Sequence, residues 1–183
     1  MRILILLFLT VTGTALSQTK EKKFLESYAG QTVDQLIALT SDYRVDSLVL
    51  AFEQAIEQKS AKRKLSEPEI DILAIEAMER EVNNGGYHQF FSNDSKKYAS
   101  VLPGALARVG CPIAAQIATD ALATLKIAGV VTPAQIDAAL AQLGDKAVPA
   151  LGRLDQRYFQ NKEPIVERLF AYIQVKKTEI RLK

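Results

Sequence analysis

From about residue 32 onward, apolar side chains recur at helical spacing almost without interruption, and no segment alternates with period two over a useful length. Val45, Leu48, Val49, Phe52 and Ile56 form one stripe of a helix. Ser66-Glu67-Pro68-Glu69 joins a capping-box Ser and Glu to a proline in the first turn, where a missing N–H costs nothing. The helix opened there carries Ile70, Leu73, Ala74, Ala77, Met78 and Val82 and is expected to stop at Asn84-Gly85-Gly86. Tyr98, Val101, Leu102, Ala105, Leu106 and Val109 continue across Pro103-Gly104, where either the helix kinks or a new one begins. Beyond Gly110-Cys111-Pro112, Ile113, Ile117, Ala121 and Leu125 repeat every four residues. Thr132-Pro133-Ala134-Gln135 is a second capping box, opening a helix with Ile136, Leu140 and Leu143 that Gly144 closes. Val148, Leu151, Leu154 and Tyr158 mark the next helix, and Ile165, Leu169 and Ile173 the last. The expected class is all-α, a single compact domain of about seven or eight helices.

Composition narrows the function classes. With 48% hydrophobic and 24% charged residues, the chain is neither disordered nor collagenous. Cys111 stands alone and cannot form an internal disulfide, and no Cys/His spacing reads as a zinc site, so no metal or other cofactor is expected. Lys and Arg number 23 against 21 Asp and Glu, a balance too even to argue for a nucleic-acid groove. The cations gather at Lys20/Lys22/Lys23, Lys59/Lys62/Arg63/Lys64 and Lys176/Lys177/Arg181/Lys183. The middle group follows a helix C-terminus, where positive charge suits the dipole, and reads as a solvated helix end; a partner-docking or membrane-surface patch is the alternative.

The first residues read as an address. Arg2, the apolar run Ile3-Leu4-Ile5-Leu6-Leu7-Phe8-Leu9 and the small-x-small site Ala15-Leu16-Ser17 follow the order of a secretory signal. The run is far below the roughly 18–20 residues that span a bilayer. Residues 1–17 are therefore expected to be a signal peptide and 18–183 a single all-helical domain, exported to the periplasm or the medium. No transmembrane segment is expected after cleavage.

Glu79 to Asn93 is the one distinctive stretch. Asn83-Asn84-Gly85-Gly86 supplies residues that tolerate positive φ, so the chain can leave a helix by a left-handed exit. Tyr87, Phe90 and Phe91 then lie at helical spacing, and Gln89 and Asn93 share a face. Glu81 falls on the apolar face of its helix, where an unpaired carboxylate costs several kcal/mol, so it should be buried and hydrogen-bonded. The Gly85-Gly86 backbone or the adjacent Asn side chains are its nearest donors in sequence. Glu79 points elsewhere around the helix and should be more exposed. Glu81, Asn83, Asn84, Gly85, Gly86, Gln89 and Asn93 thus form a candidate structural turn and latch, while Glu79, Tyr87 and His88, the only histidine, are candidate binding residues.

This segment resembles the signature of the DNA-mimic-protein family, a bacterial domain with the pattern E-x-E-V-N-N-G-G-[FY]-x-Q-[FY]-F-x-N. Glu79, Glu81, Val82, Asn83, Asn84, Gly85, Gly86, Tyr87, Gln89, Phe90, Phe91 and Asn93 all match, and the similarity runs over about residues 66–125. The resemblance implies an all-helical fold without an established enzymatic activity. It also implies mimicry, in which carboxylates spaced like phosphates are presented to a DNA-binding regulator. A near-neutral chain carrying a signal peptide departs from that, so the fold and the turn carry over and the mimicry does not. The expected function is an exported, non-catalytic protein-binding domain with no nucleic-acid partner. The alternatives are a hydrolase-like enzyme using Glu81 or Glu79 with His88, and mimicry through a local acidic patch.

Overall fold

A computed structural model describes residues 21–182 of the chain. Eight α-helices run through them: α1 (Val33–Ala38), α2 (Val45–Ser60), α3 (Glu67–Ser92), α4 (Leu102–Arg108), α5 (Pro112–Thr124), α6 (Pro133–Leu143), α7 (Ala147–Gln160) and α8 (Ile165–Lys176). Among the described residues the only extended pairing is an isolated bridge between Lys23 and Tyr43. The fold is all-α and forms one compact domain. The expected signal peptide lies outside the described residues.

Local chemistry sets most helix starts. Ser66 and Thr132 both form reciprocal capping boxes, with Glu69 and Gln135 respectively, and Pro68 and Pro133 occupy the first turns. A third box, Thr32 with Gln35, opens α1. At Pro103 the chain begins a new helix rather than kinking an old one, because Tyr98 belongs to a separate 3-10 turn, Asp94–Tyr98.

α3 is the axis of the bundle and packs against α2, α4 and α7 along its length. Its apolar face buries Ile72, Leu73, Ile75, Met78 and Val82, and its last turns bury Tyr87, Phe90 and Phe91. The stop expected at Asn84-Gly85-Gly86 is there: Gly85 and Gly86 leave helical geometry, and a short following helix runs on through Ser92 and carries Tyr87, Phe90 and Phe91 into the core. Two apolar positions depart from expectation. Ile113 and Val148 are on apolar stripes yet more than half exposed, left uncovered by the described residues. The rest of the α5 stripe, Ile117, Ala121 and Leu125, is buried as expected, with Ala114 and Ala118 beside it, and such small residues let neighbouring helices approach closely.

Candidate functional site

The break in α3 is built by two glycines with different jobs. Gly86 has φ +73, the left-handed region that excludes most side chains. A Cβ on it would also lie 2.3 Å from Asp155 Oδ2 of α7. That carboxylate needs the space, because Asp155 Oδ1 accepts from the Tyr87 amide at 2.7 Å and so caps the resumed helix from across the bundle. Burial pushes the Asp155 pKa up; the Tyr87 amide and nearby His88 oppose this. Gly85 makes room on the other side. A Cβ there would sit 2.2 Å from Gln89 Oε1 and displace that side chain.

Gln89 must be free because it serves Glu81. Glu81 is only 7% exposed. Its Oε2 accepts from Gln89 Nε2 and Asn93 Nδ2, both at 2.8 Å, and its Oε1 accepts from the Ser95 hydroxyl at 2.8 Å. Burial pushes the Glu81 pKa up, but the three donors outweigh it and hold the carboxyl below its usual range. The donors are therefore the resumed helix and the turn after it, not the Gly85-Gly86 backbone or Asn83 and Asn84. Those glycines act one step back, by giving the donors space. Asn84 is exposed and Asn83 Nδ2 donates to the Glu79 carbonyl at 2.7 Å.

Glu79 faces a different part of the molecule. It is half-buried and accepts a hydrogen bond from the Tyr158 hydroxyl of α7. Burial raises its pKa against the pull of Tyr158 and Asn83. With Asn83, Tyr158, Phe159 and the start of α8 it lines an open cleft of about 650 Å³. Phe159 is 55% exposed there and meets the Tyr158 ring edge-on, with centroids 5.6 Å apart. Glu81 opens instead on a second cleft of about 570 Å³, with Arg80, Asn93, Ser95, Lys97 and Tyr98. His88 lines neither of these clefts and is half-buried near Asp155. The grouping of Glu79, Glu81 and His88 on one substrate does not form. Tyr87, a candidate binding residue in the sequence, is fully buried against Phe90, Phe91 and Tyr158. Among the described residues no group of three His, Cys, Asp or Glu side chains could hold a metal ion.

Several residues escape sequence reasoning. Glu69 and Asp71, near the start of α3, are both fully buried. Glu69 is gripped by Arg63 through two contacts of 2.7 Å, and Asp71 by Arg108 at 2.5 and 2.8 Å. The capping box disclosed Glu69 only as a helix cap. Arg63 therefore belongs to a buried ion pair and not to a solvated helix end. Asp71 stands between two isoleucines, and that place in an apolar run was its one local signal. Phe159 and Asp155 come from α7, a long way along the chain.

The fold and this site define an all-helical domain organised round a broken central helix, with one signature carboxylate held by three neutral donors and the other turned to a different cleft. The chain belongs to the DMP19-like protein family, whose model matches residues 63–176. That match reaches well past residue 125, through α6 and α7 to the end of α8. No curated protein and no solved structure matches the chain.

Proposed function

We propose that this chain is an exported, non-catalytic domain that binds a protein partner through the cleft beside Glu79. One observation carries the reading: the two signature carboxylates diverge. Acid–base catalysis needs its groups within reach of one substrate. Glu81 is saturated with donors and opens on one side, while Glu79 opens on the other. The Glu79 cleft offers an exposed aromatic anchor, the Phe159 ring, with Ile165 and Val166 beside it, inside a charged rim that includes Arg44, Asp46, Glu163 and Glu167. Family membership supports a protein partner at a coarser level, since DNA mimicry is itself the binding of a DNA-binding protein. Phosphate-like display is disfavoured in this chain, because Asp34, Asp46, Glu53, Glu69, Asp71, Asp120 and Asp137 each have an Arg or Lys partner. Export rests on the order of Arg2, the apolar run and Ala15-Leu16-Ser17.

A photo-crosslinking residue in place of Phe159, with one in place of the exposed Ile113 as control, tests the cleft in exported extract. A discrete adduct at 159 and none at 113 is expected. Adducts at both positions or at neither overturn the site. Turnover of a substrate that Glu79→Gln abolishes, with the fold retained, replaces the binding reading with an enzyme. Intact mass of the exported protein, expected to begin at Gln18, tests the compartment.

A further inference from the structure

Two of the three cationic runs meet at one end of the bundle. Arg63, just after α2, donates to the Arg181 carbonyl at 2.6 Å, and the Arg181 amide donates to Glu69 Oε1 at 2.7 Å. These contacts bring the segment after α8 against the loop between α2 and α3, where Lys64 and Arg181 line one shallow depression. Most carboxylates bordering this end are already paired: Glu69 with Arg63, Glu179 with Lys176 and Asp34 with Lys177, while Glu67 and the buried Asp71 share Arg108 and leave one negative charge between them. Lys59, Lys62, Lys64 and the Arg181 side chain have no ion pair among the described residues. The end therefore concentrates unbalanced positive charge in a chain whose formal net charge is only +2. An apolar side chain stands at the same end. Val175 is 79% exposed in the last turn of α8, one turn beyond Tyr172, whose hydroxyl reaches Asp71 near the start of α3 at 2.8 Å.

We propose that this end of the molecule docks on an anionic phospholipid surface. The recognised chemistry is the phosphate diester, and two features favour a bilayer over a nucleic acid as its source. The free cations are mostly lysines, mobile point charges that suit a plane of headgroups. Nucleic-acid recognition draws on arginine forks, and the Arg63 fork is consumed by Glu69. Val175, beside Lys176 and Lys177, gains from the apolar edge of a bilayer and has nothing comparable to enter on a sugar–phosphate backbone. The patch lies away from the Glu79 cleft, so a protein held on a membrane by its basic end keeps that cleft free.

Co-sedimentation of the exported protein with vesicles containing about one-third phosphatidylglycerol tests this, with neutral phosphatidylcholine vesicles and duplex DNA as separate arms. Binding to the anionic vesicles, lost as salt is raised and absent from the neutral ones, is expected. Lys62→Glu, Lys64→Glu and Arg181→Glu combined should weaken it at least about tenfold, with the melting temperature held near that of the parent because all three side chains are exposed. Val175→Ser, which removes the apolar group without adding charge, should weaken it a few-fold more without changing the salt dependence. Equal binding to neutral vesicles, a triple variant that binds like the parent, or tighter binding to duplex DNA than to the vesicles overturns the proposal.

Discussion

Near the start of α3, Glu69 and Asp71 are fully buried and each faces an arginine; further along the same helix Glu81 is nearly as buried and is held by neutral donors. Apart from Arg63, which is six residues from Glu69, the partners of the first pair come from far along the chain. Asp71 takes Arg108 from α4 and the Tyr172 hydroxyl from α8, while Glu69 takes Arg63 and the Arg181 amide. All the donors to Glu81 lie within 14 residues of it. Both arrangements hold a carboxyl below its usual range: in Glu69 and in Glu81 burial pushes upward and the hydrogen bonds outweigh it. Three well-aimed dipoles thus do the work of a guanidinium. The difference lies in what each arrangement ties together. The arginine pairs fasten α3 to α4, α8 and the C-terminal segment, whereas the Glu81 cluster shapes one break and the turn after it.

The largest effect is expected where that break depends on a single atom. Gly86→Val meets a positive φ and the Asp155 carboxylate together, and it strips the Tyr87 amide of its acceptor. A loss of about 4 kcal/mol is expected in urea unfolding. Gly85→Val, whose φ is negative and whose obstacle is the flexible Gln89, should cost clearly less. Equal losses at both positions would break the assignment of separate roles to the two glycines. Arg108→Met comes next. It leaves the buried Asp71 with Tyr172 as its remaining donor and should cost about 3 kcal/mol. Arg63→Met should cost less, about 2 kcal/mol, because the Ser66 and Arg181 amides still reach Glu69. The reverse order would show that chain ends, not charge, decide the cost.

The same contrast explains how much was legible in the sequence. Both capping boxes, the positive φ at Gly86 and the presence of a helix at each stripe follow from residues within a turn of one another. The burial of Glu81 was legible from its helical angle. Gln89 and Asn93 were legible as members of its latch, on one face of the helix after the break, but Ser95, beyond that segment, was not. Asp155 and Arg108 were illegible for a stronger reason. Each acts across the bundle, and nothing near Gly86 or Asp71 says which helix will lie opposite. Ile113 and Val148 failed the other way: an apolar stripe states what a face could bury, and the neighbouring helices decide whether it does. Phe159 sits beside the cleft for the same long-range reason.

Glu81→Ala tests the neutral side of the comparison directly. Gln89, Asn93 and Ser95 would lose a shared acceptor, and Ser95 is itself buried. The expected loss is about 2 kcal/mol in urea unfolding, smaller than for Arg108→Met because no charge is left stranded. Glu79→Ala should cost less than about 1 kcal/mol, since its partner Tyr158 borders the open cleft. If Glu79→Ala proves the costlier of the two, the roles given to the two signature carboxylates are reversed.

Glu76 is the third case, with neither a guanidinium of its own nor hydrogen-bonding dipoles among the described residues, and it should give a small effect with the opposite pH sign. Half-buried on α3, it faces Glu53 and Asp46 from α2 and has Glu79 and Arg80 along its own helix, with Arg80 already committed to Glu53 at 2.6 Å. Burial first, then repulsion from Glu53 and Glu79, pushes its pKa up to about 8. A carboxyl raised on folding binds more protons in the native state, so stability falls as pH rises from the ordinary carboxylate range towards 8 and levels off above it. Glu69 and Glu81, held low, act the other way: their contribution is present above the ordinary carboxylate range and is lost as pH falls through their depressed values. Glu76→Gln should therefore stabilise the protein at pH 8 by on the order of 1 kcal/mol, solvent screening at a half-exposed site keeping the figure modest. It should leave stability near pH 4 almost unchanged. Urea unfolding of the parent and the variant across that range reads the effect as a flattening of the alkaline slope. An unaltered slope would mean that the α2–α3 seam relaxes to give Glu76 water, and that burial without a partner is not what distinguishes it from Glu81.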